Sequence, residues 1–74
     1  MITKVFLTFP QKLIKEPILY ELVKHYPVKT NIRGASVTDV IALIALQIEG
    51  DEKDVEAAIH HLTELGVQVE RLAD

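Results

Sequence analysis

The chain has 74 residues, a formal net charge of −3 and no cysteine. This length provides one domain with a small core, and the lack of cysteine excludes disulfides, thiolate metal sites and thiol nucleophiles. Binding to nucleic-acid phosphates normally needs a basic face, so the charge argues against a nucleic-acid partner. The N-terminus lacks a signal-peptide pattern, and the longest apolar run, residues 40–46, is far shorter than the roughly 20 residues of a membrane span. We expect one cytoplasmic domain over residues 1–74, without membrane insertion.

Alternating apolar and polar residues predict four strands, and apolar residues at helical spacing predict two helices. Pro17 suits the first turn of a helix, and Pro27 ends that helix because a residue before proline avoids the helical region. Gly66 suits the left-handed residue that follows a helix. The predicted elements are a strand at 2–9, a loop at 10–16, a helix between Pro17 and Pro27, strands at 28–37 and 40–49, a helix between Asp51 and Gly66, and a strand at 67–72.

The order strand, helix, strand, strand, helix, strand predicts an α+β fold, the ferredoxin-like βαββαβ sandwich. In this fold two right-handed βαβ crossovers share one four-stranded antiparallel sheet, and both helices lie on the same face. The opposite face, which we call the open face, receives no cover from its own chain. A domain this small often gains stability from a second chain.

Strand alternation assigns each strand residue to one of these two faces. The helix side is predicted to hold Val5, Leu7, Phe9, Ile32, Ile44, Leu46, Ile48, Val67 and Val69. The open face is predicted to hold the apolar residues Phe6, Ile41, Leu43, Ala45 and Leu72 beside Lys4, Asn31, Arg33, Gln47 and Glu70. An apolar patch on the order of a few hundred Å² is typical of a binding surface. We predict an interface at Phe6, Ile41, Leu43 and Ala45, formed by a homodimer or a higher homo-oligomer.

No motif of catalysis or cofactor binding is recognisable in the sequence. The three glycines are isolated, which excludes a phosphate-binding loop and a dinucleotide fingerprint. His60 and His61 are consecutive and point about 100° apart on a helix, so they cannot share one metal and are expected at the surface. Asp51, Glu52 and Asp54 fit a helix start better than a cation site. We expect no enzyme activity, no catalytic residue, no cofactor and no metal.

Three segments carry a resemblance to a known family: Asn-Ile-Arg-Gly at 31–34, Leu-Gln-Ile-Glu-Gly-Asp at 46–51, and Leu-Thr-Glu-Leu-Gly-Val-Gln-Val-Glu at 62–70. With these segments the chain resembles an NIL domain, a family named for an Asn-Ile-Leu run on its second strand. The likeness extends to residues 7–9 and 16–17, so it covers nearly the whole chain. Members of this family form the C-terminal domains of methionine-importer ATPase subunits.

The resemblance implies a ligand sensor that pairs with its twin, binds methionine near the pair's interface and restrains transport. Asn31 matches the motif asparagine, which implies a ligand-binding segment of Asn31, Ile32 and Arg33. The Asn31 amide can donate to a carboxylate and accept from an ammonium group. Arg33 stands where the motif has leucine, and the segment before the third strand is about four residues shorter than in the importers. Arg33 could bind an anion, pair with a partner carboxylate, or disturb an apolar methionine pocket.

Two functions remain open at this point. The first is a stand-alone regulatory domain that self-associates and binds a small amino-acid-like ligand, methionine by resemblance. The second is a protein-interaction adaptor whose open face docks onto a partner protein without any small molecule. Enzyme activity is a third and weaker interpretation, because no acid–base constellation is recognisable.

Overall fold

The computed structural model describes residues 1–72, so the last two residues of the predicted domain lie outside the described residues. Four strands and two α-helices follow one another in the predicted order, which confirms the ferredoxin-like α+β fold. The predicted loop after the first strand contains one short 3₁₀ helix, Gln11–Leu13. The elements are β1 Ile2–Pro10, α1 Ile18–His25, β2 Lys29–Val37, β3 Ile41–Glu49, α2 Glu52–Leu65 and β4 Gln68–Arg71.

The four strands form one antiparallel sheet in the order β2-β3-β1-β4. β1 and β3 are therefore the central strands, and β2 and β4 form the edges. β1 pairs with β3 along its whole length, from Ile2 opposite Glu49 to Pro10 opposite Ile41. α1 contacts β2 and α2 contacts β4, so the two helices cover the two halves of one face.

One apolar core lies between this face and the two helices. The strands contribute Val5, Leu7 and Phe9 from β1 and Ala42, Leu46 and Ile48 from β3, all nearly or fully buried. The helices contribute Ile18 and Leu22 from α1 and Val55, Ala58, Ile59 and Leu62 from α2. Within residues 1–72 no polar side chain is buried, so burial of apolar surface is the main stabilising term.

The predicted strand parity agrees with the structure in the two central strands. Ile44 packs against the core, whereas its neighbour Leu43 lies on the opposite face and is only partly buried. Ile32 is paired with buried Leu46 and thus belongs to the helix side, yet 58% of it is exposed. β2 is an edge strand and α1 has only eight residues, so the helix layer does not reach over Ile32.

The ends of α2 differ in how they are stabilised. Gly66 has a φ of 105°, as predicted for the left-handed residue after a helix. The Val67 N–H donates to the Leu62 carbonyl and the Gly66 N–H to the Thr63 carbonyl, which is the Schellman arrangement. Asp51 occupies the N-cap position, but its side chain caps nothing. Its carbonyl accepts the first helical hydrogen bonds, so α2 starts at Asp51 as predicted but without a side-chain cap.

The turn between β2 and β3 is closed by Thr38, in the place where a turn was predicted. Its N–H and its hydroxyl both donate to the Ile41 carbonyl, at 2.9 and 3.1 Å. The same hydroxyl oxygen accepts from the Val40 and Ile41 N–H groups. A short turn held by these four hydrogen bonds fixes the register of β2 and β3, the two strands that it joins.

An ion pair links α2 to β4 on the helix side. The Arg71 guanidinium donates two hydrogen bonds to the Glu56 carboxylate, one of them 2.9 Å long from Nη1 to Oε2. These hydrogen bonds lower the pKa of the Glu56 carboxyl and raise the pKa of Arg71. The pair is exposed, so its contribution is small but depends on pH.

Substitution of the same residue type at two positions of α2 tests the position of the core. Leu62 is fully buried and Leu65 is 39% exposed. We expect Leu62→Ala to lower the free energy of unfolding by about 2–5 kcal/mol, because it leaves a cavity. Leu65→Ala should cost less than about 1 kcal/mol. Urea unfolding of both variants measures the difference, and equal losses would contradict this core.

The Glu56–Arg71 pair predicts a pH-dependent stability difference. The carboxyl of Glu56 has a folded-state pKa below its ordinary value of 4.5. The pair therefore stabilises the fold above pH 4.5, and this contribution is lost as the pH falls through the folded pKa. We expect Glu56→Gln and Arg71→Gln to melt below the wild-type protein at neutral pH and together with it once the pH is well below the folded-state pKa of Glu56. Melting temperatures of the three proteins are measured across this range. A difference between variant and wild type that does not change with pH would contradict the pair.

Candidate functional site

The strand register maps the open face row by row, because residues paired across antiparallel strands point to the same side. Reading from β2 to β4, three rows cross the sheet, and we name each by one of its residues. The Asn31 row contains Asn31, Gln47, Lys4 and Leu72; the Phe6 row contains Gly34, Ala45, Phe6 and Glu70; the Leu43 row contains Ser36, Leu43, Thr8 and Gln68. The apolar side chains Phe6, Ala45 and Leu43 thus lie together on the two central strands, beside the polar Asn31 row.

The Asn31 row places hydrogen-bonding side chains on three adjacent strands. Asn31 pairs with Gln47, and Gln47 pairs with Lys4. Leu72 follows on the far side, where its N–H donates to the Lys4 carbonyl at 2.9 Å. The two amides in line can bind a carboxylate through their N–H groups and an ammonium group through their oxygens. Asn31 is exposed, so it is accessible to a ligand from the open face.

A β-bulge at Arg33 changes the local alternation of β2. Ile32 is opposite Leu46 and Gly34 is opposite Ala45, so Arg33 is the extra residue. Both residues of such a bulge can lie on the side of the residue they oppose. Arg33 accordingly lines a depression of about 170 Å³ together with Lys4, Ala45 and Leu72.

The predicted ligand-binding segment is therefore divided between the two sides of the sheet. Asn31 and Arg33 lie on the open face, whereas Ile32 belongs to the helix side. In the part of the chain that the structure describes, Arg33 forms no ion pair of its own. Its guanidinium is thus available to an anionic group.

Three of the four predicted interface residues lie together. Phe6 is paired with Ala45, and Leu43 lies one row further along β3. These three side chains, with Gly34 and Ser36, line a second depression of about 270 Å³. Ile41 is separate, at the end of β3, where it is paired with Pro10 and 37% exposed. Apolar side chains of another molecule fit such a depression better than polar ones do.

The exposed edge of β2 is less suited to pairing than the face. β2 has nine residues and only β3 beside it, so its outer edge carries unpaired backbone groups. The Arg33 bulge interrupts this edge, and Lys29 and Arg33 place charges along it. Bulges and charges are the usual means by which proteins prevent edge-to-edge pairing.

The histidines form no metal site within residues 1–72, where no group of three potential metal ligands exists. His25 approaches Glu21 at 3.4 Å and His60 approaches Glu64 at 3.1 Å, each four residues apart on one helix. His61 is partly buried, with its ring 5.5 Å from that of Tyr26. The expectation of a surface position is therefore correct for His60 and wrong for His61.

Two grooves on the helix side were not predicted from the sequence. One of about 260 Å³ lies between the start of α1 and the sheet, where Leu19, Val37 and Ile44 line it. The other, of about 350 Å³, lies between the helices and is lined by Leu65 and His61 among others. The exposed side chains that mark them look like ordinary surface residues in the sequence, so no signal identified these grooves beforehand.

Neither helix within the described residues is long and apolar enough to span a bilayer.

Comparison with known proteins identifies the family. The chain is similar to the crystal structure of the C-terminal domain of an ABC transporter/ATP-binding protein from Enterococcus faecalis. The two are 26% identical with a TM-score of 0.84, covering 97% of this chain and 84% of that one. The de novo designed protein Foldit4 shares the fold alone, at 9% identity and a TM-score of 0.57, over 99% of this chain and 96% of its own. No curated protein matched. The model of the NIL domain family matches residues 3–71, and this chain therefore belongs to the NIL domain family.

Proposed function

We propose that this NIL domain is a regulatory module that self-associates through its open face and binds a small amino-acid-like ligand, methionine by family resemblance. The observation that carries the proposal is the Asn31 row, a line of polar side chains directly beside the apolar side chains of Phe6, Ala45 and Leu43, on a face that residues 1–72 leave uncovered. The similarity to the C-terminal domain of an ABC transporter ATP-binding protein supports a regulatory role.

The Asn31 row and its neighbours match the chemistry of an amino acid. The Arg33 guanidinium can hold the carboxylate with one pair of its five N–H donors, which leaves the other donors for a second carboxylate. The Asn31 and Gln47 amide oxygens can accept from the ammonium group. The ligand's side chain then lies over Ala45 and Leu72, the apolar part of the same depression.

The depression at Arg33 is too open to enclose a ligand by itself. Its volume of about 170 Å³ is small, and small-molecule sites usually bury 70–90% of a ligand's surface. A second surface packed over the open face would supply the missing cover. Self-association and ligand binding therefore support each other in this proposal.

The alternative function, a protein-interaction adaptor, is supported by the second depression. Phe6, Leu43 and Ala45 line it, and Ser36 is its only side chain with a hydroxyl. It begins in the Phe6 row, next to the Asn31 row, and extends away from Asn31 to Leu43, so an apolar side chain of a partner protein could occupy it without any small molecule.

The proposed activity is binding in the cytoplasm, without catalysis. The Glu56–Arg71 pair, whose pKa values are displaced by their mutual hydrogen bonds, lies on the helix side and away from the Asn31 row. Its displacement reflects a surface ion pair and does not indicate a general acid or base.

Methionine should stabilise the wild-type domain. At one hundred times its dissociation constant a ligand adds about 2.7 kcal/mol to the free energy of unfolding. For a domain of this size that raises the Tm by roughly 10–20 °C. We expect Asn31→Ala to abolish this rise in a methionine concentration series followed by thermal unfolding.

Gln68→Ala is the matched control, because Gln68 carries the same kind of amide on the same face but in the Leu43 row. It should keep the methionine response. An equal rise in Asn31→Ala would place the ligand elsewhere. No rise with methionine, other amino acids or related thioethers would exclude the sensor and favour the adaptor.

Leu43→Asp should convert a self-associating domain into a monomer that still folds. Leu43 lies on the open face, so the core remains intact while a charge enters the depression that Leu43 shares with Phe6 and Ala45. Leu65→Asp introduces the same charge at a partly exposed leucine of α2 and should leave association unchanged. Sedimentation velocity with circular dichroism distinguishes the outcomes, and a Leu43→Asp variant that sediments like the wild type excludes this surface.

A further inference from the structure

The two edges of the open face carry opposite charges at the same level of the sheet. Arg33 lies beside Ala45 at the β2 edge, and Glu70 is paired with Phe6 at the β4 edge. Ala45 is itself paired with Phe6, and Arg33 is the bulge residue next to Gly34 at the β2 end of the Phe6 row. From β2 to β4 this level of the face therefore has a cation, a small side chain, a large side chain and an anion. This order is asymmetric, so it restricts how a second copy can pack on the face.

A dimer that buries the whole face has its twofold axis over the centre of the sheet, between β3 and β1. If this axis runs parallel to the strands, each row meets the same row in reverse. Arg33 then lies opposite the partner's Glu70, and Ala45 lies opposite the partner's Phe6. Charges are matched at both edges, and a large side chain faces a small one in the middle.

An axis that runs across the strands gives the opposite result. When it passes over the Phe6 row, at the middle of the strands, it places Arg33 opposite the partner's Arg33 and Glu70 opposite the partner's Glu70, and like charges at an interface are unfavourable. It also places the two Phe6 rings directly opposite each other, so that two large side chains compete for the same space. Antiparallel pairing of two β2 edges centred on the bulge again brings the two Arg33 residues together.

We propose that two copies of this domain pack face to face about a twofold axis parallel to their strands, with Arg33 of each paired to Glu70 of the other. This inference rests on the proposed self-association through the open face and names its geometry. Sheets that pack face to face with aligned strands are offset by about 30°, and the long Arg33 and Glu70 side chains at the rim can span that offset.

The same axis makes each ligand site a shared one. In the Asn31 row, Asn31 faces the partner's Leu72 and Gln47 faces the partner's Lys4. The partner therefore supplies an apolar cover over Asn31, which the open depression at Arg33 lacks. The domain measures 34 × 26 × 17 Å, and a broad face of that size is comparable to the roughly 800 Å² that each partner gives to a standard interface.

Charge reversal tests the pairing directly. Arg33→Glu and Glu70→Arg each replace two attractive contacts per dimer by two repulsive ones. Each should therefore raise the dimer dissociation constant by about tenfold or more. The double variant Arg33→Glu, Glu70→Arg restores opposite charges and should return to within about threefold of the wild type. Sedimentation equilibrium at low ionic strength measures all four proteins.

Two further variants make the outcome unambiguous. Lys53→Glu changes the net charge as Arg33→Glu does, but on exposed α2, and should leave the dissociation constant unchanged. Arg33→Ala should weaken the dimer if the twofold axis is parallel to the strands, and it would tighten the dimer if the axis ran across them. A double variant as weak as the single ones overturns the pairing while self-association stands. A wild-type protein that remains monomeric overturns the proposed self-association and this geometry together.

Discussion

This small domain has enough helix to cover only one side of its sheet. Leu22 of α1 and Leu62 of α2 are fully buried, together with Val5 and Leu7 of the central strand. All of this burial is on one face, and within residues 1–72 the two helices, of eight and 14 residues, leave the other face without cover. Since apolar burial is the main source of stability, the uncovered face is where the molecule can gain more by binding.

The fold could be predicted because the central strands carry a strong local signal. Val5, Leu7 and Phe9 alternate with less buried residues since one side of β1 is covered, and such a pattern needs no knowledge of the partner strands. Gly66 likewise marked the end of α2, because glycine readily adopts the positive φ that the residue after a helix often needs. The burial of Ile32 was misjudged, because periodicity gives the direction of a side chain but not how far the opposite layer extends.

The candidate site could be predicted only as a set of residues on one face. Parity placed Phe6, Leu43 and Ala45 together, but the neighbours of Asn31 depend on the pairing of strands distant in sequence. The bulge at Arg33 is a property of that pairing, and simple alternation cannot reveal it. The roles of Asn31 and Arg33 in ligand binding stay predictions, whereas their position at one end of the open face is established.

β1 occupies the middle of the sheet although it is made first, since β3 lies on one side of it and β4 on the other. Its hydrogen bonds remain incomplete until residues 68–71 have emerged, so folding during synthesis has to wait for almost the whole domain. Proteolytic loss of β4 would expose one edge of a nine-residue strand rich in valine, leucine and phenylalanine. Such an edge is a template for aggregation, which makes the shortest strand the protective one.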